Sequence, residues 1–279
     1  MSKKIKIVAD SSSDVFSLSG VDFETAPLKI ITDEKQYVDD AELDAHQMAT
    51  DLQSYKGKSS TSCPNADDWL CAFGDADEIY CVTITSALSG SNNTARVAAD
   101  TYLEEYPDRR VLVIDSLSTG PEMGLIIDKL RQLILDGKSF DAVCEEITEY
   151  TKKTGLLFML ESMKNLANNG RVSPIAAKMA GILGIRAIGK ASDEGRLEML
   201  DKCRGEKKAL ETIVVRLREL GLRDGKVKIG HVSNEEAAKI LAELIEKDFP
   251  NATVETYRCR GLCSFYAEMG GMLVGFEKA

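Results

Sequence analysis

The sequence is poor in the residues from which most reactive sites are assembled. Only two histidines, His46 and His231, occur in 279 residues, so a catalytic triad or a histidine-rich metal site has few routes. There is no Gly-x-Ser-x-Gly elbow, no Gly-x-Gly-x-x-Gly and no Gly-x-x-x-x-Gly-Lys-Ser/Thr. The sequence signatures of α/β-hydrolases, dinucleotide folds and P-loops are therefore missing. Lys and Arg form no block and the net charge is −10, which disfavours a nucleic-acid or anionic-membrane surface. No uncharged apolar run approaches the roughly 18–20 residues needed to span a bilayer. The opening MSKKIKIVAD is too short in apolar residues for a signal-peptide core and reads as a first strand. Seven cysteines form an odd set without a Cys-x-x-Cys pair, as expected of free thiols in a reducing cytoplasm.

What is present is an ordinary soluble composition, 44% hydrophobic, arranged around the stretch Ile79 to Tyr106. Ile79, Cys81, Val82 and Ile84 make a β-branched run suited to a buried parallel strand. Ser86, Ser89, Gly90 and Ser91 follow as turn and cap chemistry. Ala95, Ala98, Ala99, Tyr102, Leu103 and Tyr106 then recur at helical spacing. A helix starting near Ser89 to Asn92 would aim its unpaired N–H groups over the end of the strand, where an anion is the natural guest.

The first part of the chain alternates strands and helices. Lys4 to Asp10 is a strand running into Ser11, Ser12, Ser13 and Asp14. Val21 to Ile31 suits a second strand interrupted by Pro27, and Ala45, Met48, Ala49 and Leu52 mark a helix. The polar run Lys56 to Ser62 leads to a helix opened by Pro64 or Asn65, with Ala66, Trp69, Leu70 and Phe73 inward. Arg110 to Asp115 is another strand, ending in Ser116, Ser118 and Thr119. The helix after it carries Met123, Ile126, Ile127, Leu130, Leu133 and Ile134 inward and stops at Gly137. Three strands thus end in hydroxyl-rich turns, a layout that converges hydroxyls on one sheet edge.

Beyond about residue 154 the texture changes. Leu156 to Leu160 is a strand, Leu166 to Ser173 reads LANNGRVS, and Ile175 to Leu183 is a small-residue helix or turn. Ile185 to Ala191 and Leu197 to Lys202 form a hairpin pattern about Asp193-Glu194-Gly195. A helix closed by Gly221, a strand from Lys226 to Val232, a helix capped by Asn234 and strands Thr253 to Arg258 and Met272 to Phe276 complete the chain.

Spacing alone leaves the chemistry open. Ser86 or Ser89 with a histidine would make a serine hydrolase, and the serine-rich turns would also suit a phosphorylated metabolite. The blander readings stand beside these. Ser89 and Ser91 can be plain helix caps, Thr61 and Ser62 loop hydroxyls, Arg171 a helix C-terminal cap, and His231 a structural residue.

The successive stretches Ile7 to Asp14 (IVADSSSD), Thr61-Ser62-Cys63-Pro64, Thr85 to Ser91 (TSALSGS), Asp115-Ser116 and Asn169 to Ser173 (NGRVS) resemble, in order, the motifs of the DegV family of bacterial fatty-acid-binding proteins. The resemblance covers one unit over residues 4–278. It implies an α/β, two-domain DegV-like (EDD) fold. An N-terminal parallel sheet flanked by helices (1–153) would carry the head-group motifs, and a C-terminal α/β domain with a mixed sheet (154–279) would close an acyl tunnel. It also implies a non-enzymatic carrier holding one long-chain fatty acid, with no cofactor and no metal, and with a fatty-acid kinase as partner. Membrane contact would be transient at most. The ligand-binding residues so implied are Thr61, Ser62, Ser89, Gly90 and Arg171, with Thr61 and Ser89 touching the carboxylate. Two departures stand out: Cys63 where many relatives have Gln, and no His in Arg260 to Glu268, where Tyr266 or Glu268 lies nearest the family position.

Overall fold

The structure is a computed structural model and describes residues 3–173 and 184–279. The expected small-residue element at Ile175 to Leu183 lies outside the described residues. In chain order the elements are β1 (Ile5–Asp10), β2 (Asp22–Ala26), β3 (Lys29–Thr32), β4 (Gln36–Val38), α1 (Ala45–Ser54), β5 (Ser59–Ser62), α2 (Ala66–Phe73), β6 (Glu78–Thr83), α3 (Ser91–Glu105), β7 (Arg110–Asp115), α4 (Gly120–Leu135) and α5 (Phe140–Thr151). There follow β8 (Thr154–Leu160), α6 (Lys164–Asn168), β9 (Ile185–Ala191), β10 (Leu197–Arg204), α7 (Glu206–Glu219), β11 (Gly225–His231), α8 (Glu235–Asp248), β12 (Ala252–Arg258), α9 (Gly261–Ala267) and β13 (Met272–Glu277).

Three sheets form among the described residues. A parallel sheet has the order β2-β1-β6-β7, a small antiparallel sheet β4-β3-β5, and a six-stranded mixed sheet β10-β9-β8-β13-β11-β12. β6 is buried along its whole length, because helices cover both faces of the parallel sheet. Its alternation sends Ile79 and Cys81 to the side of α2 and α3, where Trp69 and Phe73 pack, and Tyr80 and Val82 to the side of α4 and α5. Each such fully buried large side chain stabilises by about 1.5–3 kcal/mol.

The six-stranded sheet divides its faces just as strictly. Leu157 and Met159 of β8, with Val274 and Phe276 of β13, pack under α7 and α8. Leu156, Phe158 and Leu160, with Leu273, face the other way, toward the parallel sheet. α4 touches both sheets. Its start fits onto β13 at Gly275, where a Cβ would come within 2.6 Å of the Glu122 backbone nitrogen.

Several sequence expectations change here. The run Val21 to Ile31 is two strands in two sheets, since Pro27 lacks the N–H needed to continue a ladder. The small sheet was not expected at all: β5 reads Ser-Ser-Thr-Ser and β4 has three residues, so neither carries an apolar period. α5, capped by the Ser139 hydroxyl, was also unassigned. Tyr106 is exposed rather than inward, because the chain has already left helical geometry there and its ring rests on the Arg109 guanidinium, 3.8 Å away. Asn234 stands at the N-cap of α8 without a capping side chain, since its Nδ2 donates to Glu206 and to the Gly270 carbonyl instead.

Candidate functional site

β1, β6 and β7 end side by side, and each is followed by a hydroxyl-rich turn. Asp10, fully buried at the end of β1, ties two of these turns together. Its carboxylate accepts from the Ile84 N–H at 2.9 Å, from the Ser91 hydroxyl at 2.6 Å, and from the Ser12 N–H and hydroxyl at 3.2 and 2.5 Å. Burial raises its carboxyl above the ordinary value, against the downward pull of these donors. The inner side of the α3 start therefore already holds a carboxyl group of the protein itself. The Ser91 N–H is also engaged, donating to the Ser89 hydroxyl at 3.2 Å. Asp115, at the end of β7, accepts from the Ser86 and Leu117 N–H groups, both at 3.1 Å, and the Thr85 N–H donates to the Ser118 carbonyl at 2.9 Å.

In front of these turns lies a largely apolar cavity with about 790 Å³ of empty space, open solvent at its mouth included. One wall is the inner face of the six-stranded sheet: Leu156, Phe158 and Leu160 of β8, Leu273 of β13 and Leu197 of β10. Ile84, Leu88 and Leu117 close it from the parallel-sheet side. The Thr85 hydroxyl donates to the Gly195 carbonyl at 2.9 Å, which docks the β9–β10 hairpin tip on the sheet edge.

Thr61, Ser89 and Arg171, the residues singled out from sequence, all line this cavity, and Tyr266 of α9 joins them. The Thr61 and Tyr266 hydroxyls share one hydrogen bond of 2.7 Å. Arg171 donates from Nε to the Leu88 carbonyl at 3.3 Å and from Nη1 to the Asn169 carbonyl, and its guanidinium lies 5.7 Å from the centre of the Tyr266 ring. Burial raises the Tyr266 phenol, which stays neutral, while Thr61 and Arg171 act in the opposite direction. Ser62 and Gly90 are outside the lining. Side chains alternate along β5, so Thr61 facing the cavity turns Ser62 away from it. Gly90 is the exposed N-cap of α3. Of the two residues near the family's histidine position, Tyr266 reaches the cavity, whereas Glu268 accepts from the Asn165 N–H at 3.0 Å.

What holds Tyr266 in place was not readable beforehand. α9 starts on Asp39, whose buried carboxylate accepts from the Gly261 and Leu262 N–H groups, both at 2.8 Å. Asp14 accepts from the neighbouring Arg260 N–H at 2.8 Å. Both carboxyls are pushed up by burial, Asp39 to about 6 and Asp14 to about 7, with Asp39 adding to the rise at Asp14. No motif announces Asp39, which stands in a segment between Ile31 and Ala45 that the sequence left unassigned.

Neither histidine pairs with Ser86 or Ser89. His46 Nδ1 pairs with the Ser233 hydroxyl at 2.8 Å, and His231 Nδ1 accepts from the Asn234 N–H at 3.3 Å. Among the described residues no three or more His, Cys, Asp or Glu side chains gather as a metal ion would require, and no helix is long and apolar enough to cross a membrane.

An α/β scaffold with a largely apolar cavity and a polar corner near the ends of parallel strands is suited to enclosing a small amphipathic molecule. The chain belongs to the DegV family, whose sequence profile, described as an uncharacterised protein family, matches residues 4–278. A DegV domain-containing protein of Streptococcus gordonii is 42% identical over 276 residues, 98% of each chain. A DegV family protein from Eubacterium eligens, loaded with heptadecanoic acid, is similar at TM-score 0.96 and 45% identity, over 99% of this chain and 100% of that one. The Streptococcus pneumoniae Fatty Acid Kinase (Fak) B3 protein, loaded with linoleic acid, is similar at TM-score 0.97 and 42% identity with the same coverage. The α/β fold expected from the resemblance, with its parallel and mixed sheets, is the one found.

Proposed function

We propose that this chain binds one long-chain fatty acid, with the carboxylate at the corner formed by Thr61, Ser89, Arg171 and Tyr266 and the tail along the inner face of the six-stranded sheet. The observation that carries this reading is the contrast within one cavity: leucine, isoleucine and phenylalanine along the sheet wall, and the Thr61 and Ser89 hydroxyls, the Tyr266 phenol and the Arg171 guanidinium at one corner. Thr85, Ser118 and Thr119 also line it, the first and last donating to the Gly195 and Ser12 carbonyls. Ser89 accepts from the Ser91 N–H, so its own proton is left to donate outward. In the Thr61–Tyr266 pair one hydroxyl donates to the other, and the proton not used between them serves the ligand. A buried carboxylate needs such donors, which are stronger when charge-assisted. At about 0.8 kcal/mol per buried methylene, the tail contributes on the order of 10 kcal/mol before association costs. The fatty acids carried by the relatives from Eubacterium eligens and Streptococcus pneumoniae support the same ligand class.

In this reading the lobe of residues 1–153 supplies Thr61 and Ser89, while that of residues 154–279 supplies Arg171, Tyr266 and most of the tail wall. The division is supported by strand membership: β1 to β7 form the two smaller sheets and β8 to β13 the large one. The protein acts as a cytoplasmic carrier without a cofactor. The name of the Streptococcus pneumoniae relative supports a further role, presentation of the carboxylate to a fatty-acid kinase. The hydrolase reading lacks a histidine beside Ser86 or Ser89, both histidines being engaged elsewhere, and a phosphorylated metabolite would lay its polar body against the apolar wall. Mass spectrometry of an organic extract of the purified protein tests the proposal: a long-chain fatty acid near one equivalent is expected. A sugar phosphate or nucleotide instead, with no lipid taken up on incubation, ends it.

A further inference from the structure

The cavity wall on the six-stranded sheet is uneven. β8 presents Leu156, Phe158 and Leu160 to the cavity, whereas the stretch of β9 beside it offers Ala187, Gly189 and Ala191 on that face, Ile185 lying past the end of β8. In the antiparallel register Phe158 lies opposite Gly189 and Leu160 opposite Ala187. A Cβ built on Gly189 would sit 2.2 Å from Phe158 Cζ and 2.6 Å from Cε2. The ring is therefore laid across the neighbouring strand, in space that only a glycine leaves, with its other face toward the cavity. Aromatic rings covering a cross-strand glycine are a known way of packing a sheet. Here the covered sheet face is also a cavity wall, and the 1% exposed ring is part of its lining. Leu156 and Leu160 stand about 13 Å apart at 3.2–3.4 Å per residue, which puts the ring midway along the wall. It already rests on the backbone of β9 and has no room to retreat.

We propose that Phe158, laid over Gly189, sets the bulk of acyl tail the cavity admits, passing a straight chain and rejecting one with a methyl branch near its middle. This rests on the acyl-binding reading. A rigid step half-way along the wall costs a straight chain nothing, but a branch meets a ring that cannot yield. One extra methyl in a tight apolar pocket changes affinity by roughly 10-fold or more.

The test uses the full chain, stripped of lipid, titrated with a straight saturated long-chain acid and with its mid-chain methyl-branched isomer by displacement of a fluorescent fatty acid. Wild type is expected to prefer the straight acid by about 10-fold. Phe158→Ala, and to a smaller extent Phe158→Leu, should bring the ratio down to about 3-fold or less. Gly189 is not a useful position for the test, since a Cβ there also falls 2.4 Å from the Glu198 carbonyl oxygen and would disturb the β9–β10 pairing. Equal binding of the two isomers by wild type overturns the inference, and so does an unchanged ratio in the folded variants. If Phe158→Ala does not fold, Phe158→Leu and the wild-type ratio decide. Failure of wild type to bind either acid would instead sink the fatty-acid reading, so the two failures are told apart.

Discussion

The two large sheets meet the same cavity in opposite ways. The parallel sheet presents an edge: its strands stop, and the turns beyond them bring backbone N–H groups, hydroxyls and the buried Asp10 to one line. The six-stranded sheet presents a face, where Leu156, Phe158 and Leu160 of β8 stand toward the cavity and the strand is paired by β13 on one side and β9 on the other. An edge can donate hydrogen bonds and a face can only bury surface. A site for a molecule that is charged at one end and oily along the rest needs one of each, and the fold sets them against each other.

The largest expected effect comes from cutting the edge. Asp10→Ala strips the Ile84 and Ser12 N–H groups and two hydroxyls of their buried acceptor. We expect a loss of roughly 3–5 kcal/mol in urea unfolding. A loss below about 1 kcal/mol would mean that the turns hold themselves without Asp10.

Next is the polar corner. The double variant Thr61→Val with Ser89→Ala should weaken the proposed fatty acid by on the order of 3 kcal/mol, about 100-fold, and leave the unfolding midpoint close to wild type. Affinity unchanged in the folded double variant would place the head group elsewhere.

A third measurement sharpens the contrast at α9, which spans from edge to face. Asp39 and Asp14 have folded values of about 6 and 7, above the ordinary value of 3.8, so the folded state binds protons more tightly than the unfolded chain. Their stabilising contribution is complete below about pH 4 and is lost as pH rises through 6 to 7. Lowering the pH from 8 to 5 should therefore raise stability, by on the order of 2 kcal/mol per group. Asp14→Asn, which keeps an acceptor for the Arg260 N–H, should flatten that rise; a parallel pH profile for wild type and variant would contradict it.

The smallest effect on affinity is expected at Arg171, whose guanidinium is partly spent on the Leu88 and Asn169 carbonyls. Arg171→Ala should cost about 1 kcal/mol in fatty-acid binding. Its effect on acyl phosphate formation with ATP and the organism's own fatty-acid kinase should be larger, because a cation helps most where negative charge accumulates. Equal losses in binding and turnover would assign Arg171 to binding alone, and no ATP consumption by the loaded wild type with an active cognate kinase would remove the presentation role.

Much of the edge was legible in advance. Ile79 to Ile84, Arg110 to Asp115 and Lys4 to Asp10 announce buried parallel strands by their apolar runs, and the serines after them announce turns, because both signals are local. Thr61, Ser89 and Arg171 were found through the order of motifs along the chain, and the structure brings all three to one cavity. The small sheet was hidden, since Ser59–Ser62 becomes a strand only when β3 lies beside it to accept its hydrogen bonds. Tyr266 was visible as a departure from the family, but not as the partner of a threonine 205 positions away.

By itself, then, the sequence determined most strands of the two large sheets and most of their helices, with the apolar side of each, because period and cap chemistry act over a few residues; it left the small sheet and α5 unassigned. Only the tertiary structure decided which apolar side lines a cavity rather than a core, which acid holds which helix start, and where Phe158 lays its ring. Those depend on register and on contacts between residues far apart in the chain, such as Asp39 with Gly261 and Asp10 with Ser91, and no local pattern encodes them.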